Sequence, residues 1–249
     1  MPELDEDHAT LFLRLAAPLQ SWGTTARFGE RGTEVFPTRS GVIGMIASAQ
    51  GRLRGSDLSD MSFLGVTVRA DQPGVMLTDF QTIGGGHPRA LTVATVDGKA
   101  GGSVIVSRRT YLQDATFVVA ITGAADLVQD VATALRAPRW PGFLGRRSCP
   151  PTEPLVLGVV VNAKPDLLEQ LSVLRRPAKG SSTERVRLAA DAEMSSSATS
   201  VHDDPVCFDG DRSRWRTRNV AYQTITVPSR RCVGTGIEGA ITLYEELNR

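Results

Sequence analysis

Lysine is nearly missing from this chain of 249 residues. Of its 28 basic residues only Lys99, Lys164 and Lys179 are lysines, and the rest are arginines. Cysteine and histidine are equally scarce, at three each. Cys149, Cys207 and Cys232 are isolated, odd in number and without a CxxC pair, so neither a zinc site nor a disulfide framework is indicated and a reducing, cytoplasmic setting fits. His8, His87 and His202 are the side chains that titrate near neutral pH without a large shift, which leaves few groups for acid–base catalysis. The formal net charge is +1, so no overall basic excess advertises nucleic acid and any basic surface must be local. No apolar run approaches the length of a membrane span. The N-terminal MPELDEDHAT lacks the basic and apolar regions of a signal peptide, and residues 1–10 read as a solvated acidic extension. A Walker A sequence, a dinucleotide fingerprint and HExxH are all missing, so no cofactor or metal is expected. The aromatic-rich signature of an RRM is missing too, which points away from base stacking on a sheet face and toward loops.

What the chain does have is a globular composition, with 41% hydrophobic and 22% charged residues. Its length holds one large domain or two small ones. Arginine suits bidentate phosphate contacts and stacking on bases. A GC-rich genome accounts for the arginines and the many alanines equally well.

The organising stretch is 11–50. Leu11, Phe12, Leu13 and Leu15, interrupted by Arg14, predict a largely buried strand that Pro18 ends. Gln20, Ser21, Trp22 and Gly23 follow at the strand end. Thr38 is an N-cap candidate before Arg39, Ser40 and the apolar series Val42, Ile43, Ile46 and Ala47, with Gly51 placed to end the helix. Such a helix start either binds a phosphate, with Arg39 beside it, or is an ordinary capped helix.

Further on, the alternation at 64–71 predicts a strand. Residues 75–113 lack a core pattern and read as an inserted arm with turns at 84–86 and 97–102 and a short strand-like run at 92–96. That arm carries Gln81, His87, Arg89, Arg108, Arg109 and Tyr111. Residues 116–122 and 155–161 predict buried strands, and 125–137 an amphipathic helix stopped by Pro138. The order strand, helix, strand, strand, helix, strand is the ferredoxin-like βαββαβ pattern. We therefore expect an α+β fold: a ferredoxin-like domain over 11–163 with an insertion at about 75–113, then a smaller β-rich C-terminal region over 164–249. In that region 166–174 reads as a short helix, 175–204 as a mobile loop, 221–227 as a strand, and 240–247 as a strand or terminal helix.

Several residues could meet a nucleic acid. Arg146 and Arg147 lie in a Gly-Arg-Arg-Ser-Cys-Pro-Pro loop, either clamping phosphates or simply solvated. Trp22 either stacks a base or sits in the core. Arg109 and Tyr111 fall on one side of an extended arm and could pair a phosphate grip with a base stack. RSRWRTR at 212–218 reads either as a basic–aromatic contact or as an edge strand with charged faces. His87 with Tyr111 could be drawn as an acid–base pair, with no geometry to fix it.

PLQSWG after the first strand, FPTRSGVIG at the helix start and FLGRRSCPPTEPLVLG at 143–158 resemble the family-five CRISPR-associated (CasD) subunits of type I-E Cascade, members of the RAMP superfamily with an RRM-like core. The resemblance implies that 75–113 is a β-hairpin thumb. It implies a non-catalytic subunit that binds the 5′ handle of the crRNA, caps the CasC backbone filament and supports the large CasA subunit, while CasE cuts the RNA and target DNA is met only through the complex. Under this reading Gln20, Ser21, Trp22, Gly23 and Arg27 form a handle-binding loop. Thr38, Arg39 and Ser40 hold a phosphate. Arg108, Arg109 and Tyr111 work from the thumb, and Arg146 and Arg147 grip the handle backbone. The alternatives are a metal-independent, repeat-specific endoribonuclease and a purely structural connector.

Overall fold

A computed structural model describes residues 7–24, 26–27, 29–84, 88, 93–94, 104–164, 166–195 and 197–249. The fold is α+β and its sheets are mostly antiparallel. A seven-stranded sheet is built from β1 (His8–Ala16), β5 (Gly65–Gln72), β8 (Thr116–Ala124), β9 (Val156–Val161), β10 (Thr183–Asp191), β11 (Ala198–Cys207) and β12 (Arg214–Pro228). Its spatial order is β11-β12-β10-β5-β8-β1-β9. A smaller sheet joins β2 (Leu19–Gln20), β3 (Ala26–Arg27), β4 (Glu30–Arg31), β6 (Val75–Ile83) and β7 (Ile105–Gln113).

Alternation along β1 decides the layers. Leu11, Leu13 and Leu15 point to one face, where α1 (Arg39–Ala49) and α2 (Ala125–Arg136) pack with Val66, Val68, Phe117, Val119 and Ile121. Phe12 points to the other face with Val118, Ala120 and Leu157. That face is closed by α3 (Leu167–Gln170) and α4 (Ile237–Leu247), through Leu168, Leu243 and Leu247. The sheet face that could have served as a stacking platform is therefore filled by the chain's own C-terminal segment.

Thr38 caps α1, its side chain accepting from the Gly41 N–H at 3.2 Å. Gly41 is required by packing, since a Cβ there would come within 2.8 Å of the Trp22 ring.

The C-terminal region departs from expectation. The span 175–204, read as a mobile loop, holds all of β10 and most of β11, and β10 pairs with both β5 and β12. Val186 and Leu188 alternate with Arg185 and Arg187, so half of a polar-looking stretch is buried. RSRWRTR is not an edge strand: Arg214–Arg218 opens β12, which lies between β11 and β10. His202 sits within β11 and His8 opens β1, so neither lies in a loose segment. Residues 237–247 are helical. His87, Arg89 and most of the 92–96 run lie outside the described residues.

Candidate nucleic-acid interface

The geometry of the residues after β1 is that of a scaffold. Gln20 is fully buried. Its Nε2 donates to the carbonyls of Leu15 and Ala115, at 3.1 and 2.8 Å, and its Oε1 accepts from Trp22 Nε1 at 3.1 Å. Trp22 is 1% exposed and packs on α1, so it is a core tryptophan and has no face free for a base. Ser21 is buried too, donating to the Thr110 carbonyl at 3.2 Å. Of this loop Gly23 is exposed, and Arg27 lies in β3, its backbone paired with Glu30.

The α1 start is also filled from within. An anion does sit at this helix N-terminus, as expected physically, but it is the Asp203 carboxylate, which accepts from Arg39 N–H at 2.7 Å. Arg39 is 4% exposed. Its Nε donates to Asp204 at 2.7 Å, and its terminal nitrogens donate to the carbonyls of Leu64, Met61 and Ser62. Arg39 is spent on holding β11 against the helix. Thr38 serves as the cap and Ser40 lies beside it, 3.3 Å from the Thr38 hydroxyl. The phosphate site expected from Thr38, Arg39 and Ser40 is therefore not open.

Arg146 and Arg147 are placed differently. Leu144 and Cys149 are buried anchors, and the Leu144 N–H donates to the Cys149 carbonyl at 2.8 Å, closing the loop at its base. Burial pushes the Cys149 thiol up from its usual value, which keeps this anchor neutral. The loop docks on the scaffold through Ser21 N–H, which donates to the Leu144 carbonyl at 3.1 Å. Gly145 makes that approach possible: it adopts φ +83, and a Cβ there would fall 1.6 Å from the Ser21 carbonyl oxygen.

At the tip, the Arg146 guanidinium lies 4.6 Å over the Tyr111 ring, and its Nη2 donates to the Arg31 and Gly32 carbonyls at 2.7 and 3.2 Å. Its Nη1 is buried with no hydrogen-bond partner among the described residues. Arg147 is exposed and makes no ion pair or hydrogen bond among them. Tyr111 is thus a buried platform for Arg146, and the expectation that it stacks a base fails. It cannot form an acid–base pair at the surface either.

The small sheet brings more arginines to the same place. β4 pairs in parallel with β7, which sets Arg31 beside Arg109 and Glu30 beside Arg108. Arg108 is exposed, with Glu30 at 3.9 Å, and Arg109 donates to Ser107 at 3.4 Å on the body side of the arm. Asp79 on β6 stands opposite Arg109 in register. Arg31 and Arg109 therefore share the face of the small sheet that holds Tyr111 and Arg146, while Arg108 and Glu30 fall on its other face. Arg31 was not singled out from the sequence; its signal was the GERG turn beside Arg27. RSRWRTR does not join them, because Arg216 and Arg218 pair with Asp204, Asp203 and Asp191. Among the described residues no three His, Cys, Asp or Glu side chains are grouped to hold a metal, and no helix is long and apolar enough to cross a membrane.

The family model for CRISPR-associated protein (Cas_Cas5) matches residues 10–228. The chain belongs to the Cas5 family. Among curated relatives of this Cas5 protein is the CRISPR system Cascade subunit CasD of Escherichia coli (strain K12). It is 34% identical over 170 residues, covering 62% of this chain and 73% of the relative. A chain of a solved CRISPR RNA-guided surveillance complex is 37% identical with a TM-score of 0.82, covering 96% of this Cas5 chain and 100% of that one. A second solved structure, a Cas protein, is 32% identical with a TM-score of 0.62, covering 90% and 97%.

Proposed function

We propose that this Cas5 chain is a non-catalytic RNA-binding subunit of a type I-E Cascade complex, holding the 5′ handle of the crRNA at the arginine cluster. The observation that carries this is Arg146. Stacking on Tyr111 and two carbonyls fix its guanidinium while Nη1 stays buried and unpaired. A buried donor left without an acceptor costs about 1–3 kcal/mol, and a small movement of the loop at 145–147 would open it to a phosphate oxygen. Arg147 follows it in the loop, Arg31 supplies one of the carbonyls that hold it and Arg108 faces outward from the hairpin, each a guanidinium suited to phosphate.

The rest follows from the same reading. The strand order β9-β1-β8-β5, with α1 between β1 and β5 and α2 between β8 and β9, supports a ferredoxin-like core. The β6–β7 hairpin, with Val75, Met76, Leu77 and Phe80 exposed, suits a thumb that packs on a neighbouring CasC subunit. Capping the CasC filament, supporting CasA and leaving cleavage to CasE complete the assignment. In such a complex base pairing reads the target and protein holds the RNA by backbone and shape.

Arg108→Ala with Arg147→Ala tests it, because neither side chain supports the fold. Handle-RNA affinity should fall, and the slope of log K against log salt should become shallower by about 1.4, at about 0.7 per phosphate of a single strand. Unchanged affinity and slope in filter binding would overturn the site. RNA cleavage by the pure protein without metal would overturn the non-catalytic reading.

A further inference from the structure

A second group of arginines lies on the large sheet, away from the loop at 145–147. Along β10, Leu188 packs with α3 and α4 and Val186 packs on the same side with Val173 and Val227, so Arg185, Arg187 and Ala189 face the opposite side, where Ala189 joins the core around α1. In register across β12, Thr226 stands opposite Arg185, Thr224 opposite Arg187 and Tyr222 opposite Ala189. The helices cover only part of this face. Beyond them, Arg185, Arg187, Thr224 and half of Tyr222 are exposed. There a hollow of about 300 Å³ is lined by Ala70, Pro73, Arg175, Arg185, Arg187 and Thr224, with no acidic side chain in its wall.

The three arginines are not equivalent. Arg175 is held by the Asp71 and Arg185 carbonyls and lies 3.5 Å from Glu184. Arg185 and Arg187 form no ion pair among the described residues. Arg187 is fixed nonetheless, its guanidinium 5.3 Å over the Phe36 ring, which itself packs against Tyr222 at 5.7 Å. Two cations about 7 Å apart along one strand face, a hydroxyl beside them and an aromatic ring next in line form a basic–aromatic track. Phe36 is five residues from Arg31 in the primary cluster, so their Cα atoms lie at most about 18 Å apart. One extended strand can reach both.

We propose that this face of β10 and β12 is a second contact for single-stranded RNA, with Arg185 and Arg187 on successive phosphates and Tyr222 stacking a base. The proposal rests on the RNA-binding reading above and extends the RNA path beyond the loop at 145–147. An acidic protein segment is the competing occupant, but the exposed Tyr222 and Thr224 beside the cations favour a ligand that alternates phosphate and base.

The test uses the full chain and a labelled handle RNA with its downstream nucleotides, titrated at several salt concentrations. Arg185→Ala with Arg187→Ala should weaken binding and make the salt slope shallower by about 1.4, and Arg185→Ala alone by about 0.7. Arg187 packs on Phe36, so the single Arg185→Ala protein decides if the double variant melts early. Arg185→Lys should restore the slope. An unchanged slope in the Arg185→Ala protein, with Arg108→Ala/Arg147→Ala still impaired, overturns this contact and leaves the primary site standing. The reverse pattern supports this contact and removes the primary site. A polyglutamate chain that loses affinity in Arg185→Ala, while RNA does not, overturns it in favour of an acidic protein partner.

Discussion

Arg39 and Arg147 carry the same side chain, and each follows a residue suited to a phosphate site: a helix cap in one case, a glycine loop in the other. Their fates diverge because of groups far away in the chain. Arg39 meets Asp203 and Asp204, 164 and 165 positions distant, and vanishes into the interior. Arg147 meets no carboxylate among the described residues and is exposed. Gly145 is the residue that keeps it so. An alanine there must hold a left-handed backbone, which costs about 1–3 kcal/mol, and its methyl meets the Ser21 carbonyl oxygen. Gly145→Ala should lower the melting temperature and weaken RNA binding together, read by calorimetry and filter binding. Arg147→Ala should weaken binding alone. Trp22 teaches the same lesson as Arg39: residue type and position beside a strand end were legible, but its burial depends on Gly41 of α1 admitting the ring.

At the scale of elements, the strands and helices with strong apolar runs were legible: β1, α1, β5, β8, α2 and β9 form where hydrophobic pattern and caps place them. β10 and β11 were not, because 175–204 is rich in Ser, Ala and charge and composition masked the period-2 alternation of Val186 and Leu188. Their charges are what attach them. Asp191, Asp203 and Asp204 meet Arg39, Arg216 and Arg218, so a network of ion pairs joins the β11–β12 hairpin to the start of α1. Taking one partner from a buried network leaves an uncompensated charge at a cost of about 3–5 kcal/mol. Arg39→Met should therefore destabilise by about that amount in chemical denaturation, because Asp204 loses its buried partner and the Leu64, Met61 and Ser62 carbonyls lose their donor. Arg216→Ala, at the exposed rim of the network, should cost less than about 1 kcal/mol.

Across the whole molecule, the two faces of the large sheet have different tasks. One carries α1 and α2 and, beyond them, the β10–β12 track. The other is sealed by α3 and α4, with Leu243 fully buried against Phe12, Val118 and Leu157. Ser172 ties α4 in place, its hydroxyl donating to Glu246 at 2.6 Å. A fold that binds RNA by stacking bases on this sealed face needs α4 to leave, so loosening α4 would raise affinity. A fold that binds through loops and the opposite face gains nothing from its release. Leu243→Ala separates the two. Truncating a buried leucine costs about 2–5 kcal/mol, so the variant should melt earlier. Below its melting temperature its RNA affinity and salt slope should match those of the parent chain. Tighter binding by the Leu243→Ala protein would mean that the face under α4 takes RNA, and that the helix competes with the ligand instead of closing the core.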